Sequence, residues 1–251
     1  MSSRPSPRNL TVLARKRLTP SMQRVTLGGP GLSDFPAEQE GGYLKLFLGE
    51  DANGKRIVRT YTIRHQREGE LDIDFALHGG AAAGPATAWS LSVEPGSSIP
   101  VGGPGPAKPL PPGHDFYLVA GDMTALPAIG VNLAALAKDA VGIAVIEIQN
   151  DADQVELDKP EGIEVRWLVN REPGSQPALL SDELRRIALP QGKLAGWAAC
   201  EFSAMRNLRA LLRDELGLRG DSLYISSYWK AGLIEDEHKR VKREDAETQT
   251  V

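Results

Sequence analysis

Residues 115–130 read DFYLVAGDMTALPAIG. An apolar run from Phe116 to Ala120 ends in Gly121. Asp122 and Thr124, both of helix-capping type, then precede a helical stretch reaching to about Lys138. A buried strand that hands over to a helix through a glycine is one unit of an α/β sheet. The chain beyond it keeps that alternation: VGIAVIEIQN (141–150) and GIEVRWLVN (162–170) read as strands, PALLSDELRRIAL (177–189) as a helix, and KLAGWAAC (193–200) as a strand. EFSAMRNLRALLRDELG (201–217) is helical, with Phe202, Met205, Leu208, Leu211 and Leu212 on one face, and DSLYISSY (221–228) is a last strand. The expectation is a mainly parallel sheet with helices on both faces, binding its ligands beyond the C-terminal strand ends.

Upstream of about residue 110 the grammar differs. LTVLARKRL (10–18), QRVTLGG (23–29), YLKLFLG (43–49), IVRTYTIR (57–64) and LDIDFAL (71–77) are short bursts bounded by turn formers such as DANGK and REGE. That spacing predicts an antiparallel barrel or sandwich. PGSSIPVGGPGPAKPLPPG (95–113) breaks all periodicity and reads as the end of this half plus a linker. The predicted organisation is therefore a β domain over 1–110 and an α/β domain over 111–251. The last stretch, EDEHKRVKREDAETQTV (235–251), is charged enough to predict a solvated helix fraying into a tail.

Composition excludes several function classes. A net charge of −4 argues against a general nucleic-acid binder. The single cysteine, Cys200, permits no intrachain disulfide and suits a reducing compartment. MSSRPSPRNL lacks the apolar core of a secretory signal, and the uncharged run from Met123 to Ala137 contains Pro127 and Asn132 and is too short for a membrane span. These features predict a soluble, cytoplasmic protein with no membrane partner. His65, His78, His114 and His238 show no metal-ligand spacing, so no metal site is expected.

Four stretches carry residues suited to chemistry. In RTYTIR (59–64) a strand puts Arg59, Tyr61 and Ile63 on one side and Thr60, Thr62 and Arg64 on the other. A flavin dinucleotide calls for a cation at its pyrophosphate, a flat ring against the isoalloxazine and a hydroxyl near N5; Arg59, Tyr61 and Thr62 are of those types. A plain barrel strand with surface arginines would read the same way. In HGGAAAGPATAW (78–89), Gly84-Pro85 opens a helix whose first amides, at Ala86, Thr87 and Ala88, are candidate phosphate donors; an ordinary capped helix is the alternative. VAGDMTALPAIG places Asp122 and Thr124 at a crevice suited to a nicotinamide nucleotide, without a G-x-G-x-x-G fingerprint. Cys200-Glu201 sits where a strand gives way to a helix, a place where a thiol is either activated or simply buried.

With YLKLFL, RTYTIR, DIDFALHG, GPATAW, VAGDMTALPAIG, GWAACE and YWKAGL in this order, the chain resembles the siderophore-interacting protein family, FAD-dependent ferric-siderophore reductases of the ferredoxin-reductase-like superfamily. The resemblance runs from about residue 8 to 235. It implies an N-terminal FAD-binding β-barrel and a C-terminal NAD(P)H-binding α/β domain. It puts Arg59, Tyr61 and Thr62 on the flavin, and His78, Gly79, Gly84, Pro85, Ala86, Thr87 and Trp89 at the FAD phosphates. Asp74 and Phe75 of DIDFALHG, and Asp122, Thr124, Cys200 and Glu201 at the nucleotide crevice, complete the implied cofactor set. Lys45 and Lys230 map to the siderophore-pocket cations, with Arg64 beside them; for Lys239 and Arg240 a solvated surface role is the simpler reading.

The implied reaction is reduction of an Fe(III)-siderophore to release Fe(II). Electrons would come from NADH or NADPH, or from ferredoxin as an alternative donor and partner. No side chain is needed as general base, because the flavin carries the chemistry while Thr62 and Tyr61 tune it. The chain departs from the usual family pattern at Met123, commonly Glu, at Ala199-Cys200 before Glu201, commonly Ala-Gly, and at Ser227-Tyr228-Trp229-Lys230, commonly Gly-Tyr-Trp-Arg. Two other readings use the same residues: a general flavin reductase or diaphorase, and a non-catalytic siderophore-binding protein.

Overall fold

The computed structural model describes residues 7–78, 84–233 and 235–248; for Glu235, Asp236, Lys239, Ala246 and Thr248 it describes the backbone alone. The chain forms two compact units, Met1–Pro109 and Leu110–Val251.

The first unit is a closed antiparallel barrel of β1 (Arg8–Thr19), β2 (Met22–Gly28), β3 (Tyr43–Glu50), β4 (Arg56–Arg67), β5 (Glu70–Ala76) and β6 (Ser98–Gly105), in the order β1-β2-β5-β4-β3-β6. Period-two alternation aims Leu44 and Leu46 of β3, Ile63 of β4, Ile73 and Phe75 of β5, and Ile99 and Val101 of β6 into one core. On β5 the residues from Leu71 to Ala76 are all buried, on both faces. Its outward Asp72 and Asp74 are covered by ion pairs to Arg67 and Arg24. Helix α1 (Pro85–Ser92) adds Ala86 and Trp89 to the same core.

The stretch read as a linker from residue 95 contains β6, which pairs with both β1 and β3 and so closes the barrel. Local composition hides this strand. Its glycines make room for the rings of Tyr43 and Phe47 on β3, and beyond Ile99 and Val101 its two prolines and three glycines carry no apolar alternation.

The second unit is a five-stranded parallel sheet, β11-β10-β7-β8-β9, made of β7 (Phe116–Gly121), β8 (Gly142–Ile148), β9 (Ile163–Val169), β10 (Leu194–Glu201) and β11 (Leu223–Trp229). Helices α2 (Leu126–Ala134), α3 (Leu179–Arg185), α4 (Phe202–Arg209) and α5 (Glu235–Thr248) accompany it. The chain builds outward from β7 to β8 and β9 on one side and to β10 and β11 on the other. The strand order therefore reverses between β7 and β10, the crevice position of open α/β sheets.

Gly121 at the end of β7 is sterically required: a Cβ there would lie 2.7 Å from the Ala199 carbonyl oxygen and 2.8 Å from Ile129 Cδ1. Helix α2 is shorter than the sequence predicts, and α4 continues as a π-type turn through Ala210–Glu215. No helix among the described residues is long and apolar enough to cross a membrane.

Helix α5 departs from the expected solvated tail. His238 is buried, with Nε2 2.8 Å from the Ser227 hydroxyl, and its ring meets Phe202 edge-on. Lys242 Nζ donates to the Ser226 hydroxyl and the Ser227 carbonyl, and Asp245 takes a two-point ion pair from Arg209. One polar face docks through hydrogen bonds, which an apolar-periodicity reading does not detect.

Candidate functional site

On the barrel, β4 presents its alternation as the sequence predicts. Arg59, Tyr61 and Ile63 face Leu46, Leu44 and Ile73 across the ladder, all buried positions. The Tyr61 ring packs on Phe75 with centroids 4.3 Å apart, and Phe75 packs on Trp89 of α1 at 5.6 Å. Three rings thus connect β4, β5 and α1 and hold Tyr61 in place. Phe75 has no exposure, so its side chain supports Tyr61 and reaches no ligand, a correction to its expected cofactor contact. Asp74 is buried and accepts from Arg24 on both oxygens, at 2.6 and 2.8 Å. Arg59 Nη1 donates to the Val58 carbonyl at 3.0 Å. Thr62 shares the outward face with Thr60, opposite Tyr43 and Lys45 of β3.

Helix α1 starts with Gly84 extended, Pro85 in the first turn and no side-chain cap. The Ala88 amide already bonds to the Gly84 carbonyl at 3.0 Å, so Ala88 is not a donor for a ligand. Ala86 and Thr87 are buried, and their amides have no partner among the described residues. Among the described residues nothing lies within 4 Å of where a side chain at Gly84 would begin. An uncapped, unobstructed helix start is chemically suited to a phosphate, so the barrel fits a flavin nucleotide. His78 follows β5 and is half-buried; the expected contact at Gly79 lies outside the described residues.

Arg64 sits at an irregularity of the β4–β5 ladder, between the pairs Ile63–Ile73 and His65–Asp72. Its half-buried guanidinium has no hydrogen bond or ion pair among the described residues, and loss of solvent lowers its pKa against the pull of Asp74. Lys45 is exposed on β3. Lys230, half-buried after β11, holds its ammonium 4.3 Å from the centre of the Phe202 ring.

At the strand-order reversal of the second unit, three carboxylates meet. Asp122, beyond β7, accepts from the Thr124 amide and hydroxyl on one oxygen. On the other it accepts from the Glu201 amide at 2.8 Å and Trp229 Nε1 at 2.7 Å. Burial raises its pKa, and the Thr124 and Trp229 hydrogen bonds oppose the rise. Glu201 ends β10 and caps α4 through the Ser203 and Ala204 amides, while its other oxygen accepts from the Ala231 amide. The Trp229–Ala231 turn is therefore tied to the tips of β7 and β10. Glu147, at the end of β8, accepts from Asn170 Nδ2 at 2.9 Å; burial, with repulsion from Asp122, lifts its pKa to about 7.

Sequence reasoning found Asp122, Thr124 and Glu201 but missed Glu147 and the Trp229 indole. The available signal was a glutamate inside the otherwise apolar VIEI. The regular helix α2 begins after Ala125, and Asp122 caps the turn that leads into it: its side chain accepts from the Thr124 amide and its carbonyl from the Ala125 and Leu126 amides. Cys200 is fully buried, and loss of solvent, helped by these acids, raises its pKa well above the ordinary thiol value. Its burial and raised pKa are those of a packing residue and give no activated thiol. Arg240 pairs with Glu244, in keeping with a surface role.

The family profile described as siderophore-interacting FAD-binding domain matches residues 11–56 and 50–108, and the one described as siderophore-interacting protein matches residues 114–232. The chain belongs to the siderophore-interacting protein family. Its barrel is that family's FAD-binding domain, and the protein is an oxidoreductase of the FAD class. Among relatives, the ferric vibriobactin reductase ViuB of Vibrio cholerae is 32% identical, with 92% of each chain covered. The NADPH-dependent ferric-chelate reductase of Escherichia coli is 28% identical, over 89% of this chain and 93% of its own. The crystal structure of the siderophore-interacting protein SipS from Aeromonas hydrophila matches with a TM-score of 0.85 at 30% identity, over 96% of this chain and 98% of that one.

Proposed function

We propose that this chain reduces the iron of an anionic ferric siderophore in the cytoplasm, taking electrons from NADH or NADPH through FAD. The observation that carries the reading is the barrel wall on which Tyr61, backed by Phe75 and Trp89, lies with the uncapped start of α1. Relatives named as a ferric vibriobactin reductase and a ferric-chelate reductase supply the substrate class.

Bound FAD supplies the conversion between hydride and single-electron transfer. Tyr61 offers a ring held against rotation by Phe75, and Thr62 a hydroxyl on the same strand. The Ala86 and Thr87 amides, with the Arg59 charge, hold phosphate. At the strand-order reversal, Asp122 and Glu201 fix the Trp229–Ala231 turn where a nicotinamide nucleotide docks. Lys45, exposed on β3, and Lys230, against the Phe202 ring and within electrostatic reach of Asp245, each attract a chelate whose hard oxygen donors carry negative charge. One NAD(P)H reduces two ferric chelates, leaving NAD(P)+ and one proton. Fe(II), a poorer match for those donors, is then released.

The test is an anaerobic titration of the purified protein. Flavin bands should bleach with NADH or NADPH and return on adding a ferric tris-catecholate, with Fe(II) captured by a colorimetric trap. Bleaching by dithionite alone, followed by reoxidation by the chelate, makes ferredoxin or another carrier the donor. Failure to bind any flavin, or to reduce any ferric chelate, refutes the reading.

A further inference from the structure

The outward face of β3 carries Tyr43, Lys45 and Phe47 at alternate positions, while Leu44 and Leu46 point into the core. Beside it, β6 offers glycines in place of side chains. A Cβ at Gly105 would fall 2.0 Å from the Tyr43 ring, and one at Gly102 would fall 3.5 Å from the Phe47 ring and 3.9 Å from Lys45 Cβ. Tyr43 thus lies directly on the β6 backbone, and Phe47 stands beside it. On the other side, β4 sets Thr62, Thr60 and Val58 opposite the three residues. Arg56, also on β4, holds its guanidinium 5.9 Å from the centre of the Phe47 ring. Arg56 and Lys45 have no hydrogen bond or ion pair to a carboxylate among the described residues, although Glu50 is Arg56's register partner.

The result is a strip about 14 Å long, at roughly 3.4 Å per residue. It begins at the residue paired with Thr62, passes an ammonium, and ends at an aromatic ring beside a guanidinium. An outward phenylalanine between two cations that make no ion pair among the described residues, on a protein of net charge −4, is unusual for a plain solvated wall. Its chemistry matches one kind of ligand, a planar aromatic ring bearing negative oxygens. The ring stacks on Phe47 and the Arg56 guanidinium, and the oxygens meet Lys45.

We propose that Phe47, Arg56 and Lys45 form an aryl-anion platform that selects catecholate- or phenolate-type ferric chelates over aliphatic hydroxamate ones. This rests on the ferric-chelate reading and narrows its substrate class. Phe47 and Arg56 contact substrate here, a role given to neither residue by the sequence motifs.

Three probes separate ring from charge: iron(III) tris(2,3-dihydroxybenzoylserine), anionic and aromatic; ferric citrate, anionic without a ring; and ferrioxamine B, with neither. Binding is followed by quenching of protein fluorescence in the flavin-loaded protein, with flavin content and thermal midpoint as folding controls. Phe47→Leu keeps bulk without a ring and should weaken the catecholate chelate about three- to tenfold while leaving the other two within twofold. Arg56→Gln should weaken both anionic probes and spare ferrioxamine B. If the wild type reduces ferric chelates but Phe47→Leu shifts all three probes equally, or none, the platform is wrong and the reductase reading stands. If the wild type binds no ferric chelate, both fail.

Discussion

Glu147 makes stability depend on pH in a way that identifies it. Its carboxyl is buried at the end of β8, near Asp122 and Glu201, and titrates near 7 in the folded protein against an ordinary 4.5. Between those values the native state holds a proton that the unfolded chain has lost, so stability falls as pH rises. The contribution is whole below about pH 4.5 and gone above the folded pKa. A displacement of about 2.5 units corresponds to roughly 3 kcal/mol. Asp122, also raised, adds a loss of the same sign.

Glu147→Gln reproduces the protonated carboxyl and keeps an acceptor for Asn170 Nδ2. Urea unfolding of wild type and variant at half-unit steps from pH 5 to 8.5 should give curves that diverge. The variant should gain about 2.5 kcal/mol relative to wild type across that range, and most of the gain should appear by pH 7.5. Subtracting the curves removes most of the Asp122 contribution, which both proteins share. Parallel curves, or a variant that loses relative stability as pH rises, would refute the assignment of a buried, protonated Glu147.

Packing sets two further outcomes. Gly121→Ala drives a methyl into the Ala199 carbonyl and Ile129; with backbone on one side it should cost about 1–3 kcal/mol and lower the thermal midpoint. Arg209→Ala removes the two-point ion pair to Asp245, whose partners are each only 13% exposed. Amide exchange should accelerate across Glu235–Thr248 and leave β7 and β8 unchanged, whereas unchanged exchange in α5 would mean that its docking rests on His238 and Lys242.

The candidate site was legible where chemistry is local. RTYTIR announced its alternation because strand parity is a property of consecutive residues, and Gly84-Pro85 announced an uncapped helix start for the same reason. Ala88, Phe75 and Asp74 escaped because their roles depend on partners: the Gly84 carbonyl, the rings of Tyr61 and Trp89, and the Arg24 guanidinium. Cys200 looked like a candidate thiol because its motif lies at a strand-to-helix junction. Burial among three acids raises its pKa and gives no activated thiol.

By itself the amino-acid sequence determined the two grammars, β then α/β, the break between them near residue 110, the handover at Gly121 and the family. Each of these is carried by residues within one element or by motifs in order along the chain. Tertiary structure alone decided that Ser98–Gly105 closes the barrel, that α5 docks by a polar face, and that Asp122 meets the Trp229 indole across 107 residues of chain. The physical reason is the same in all three. A glycine strand, a charged helix and a buried carboxylate are each unfavourable in isolation. They become favourable only when register and packing bring the ring, hydroxyl or N–H that satisfies them.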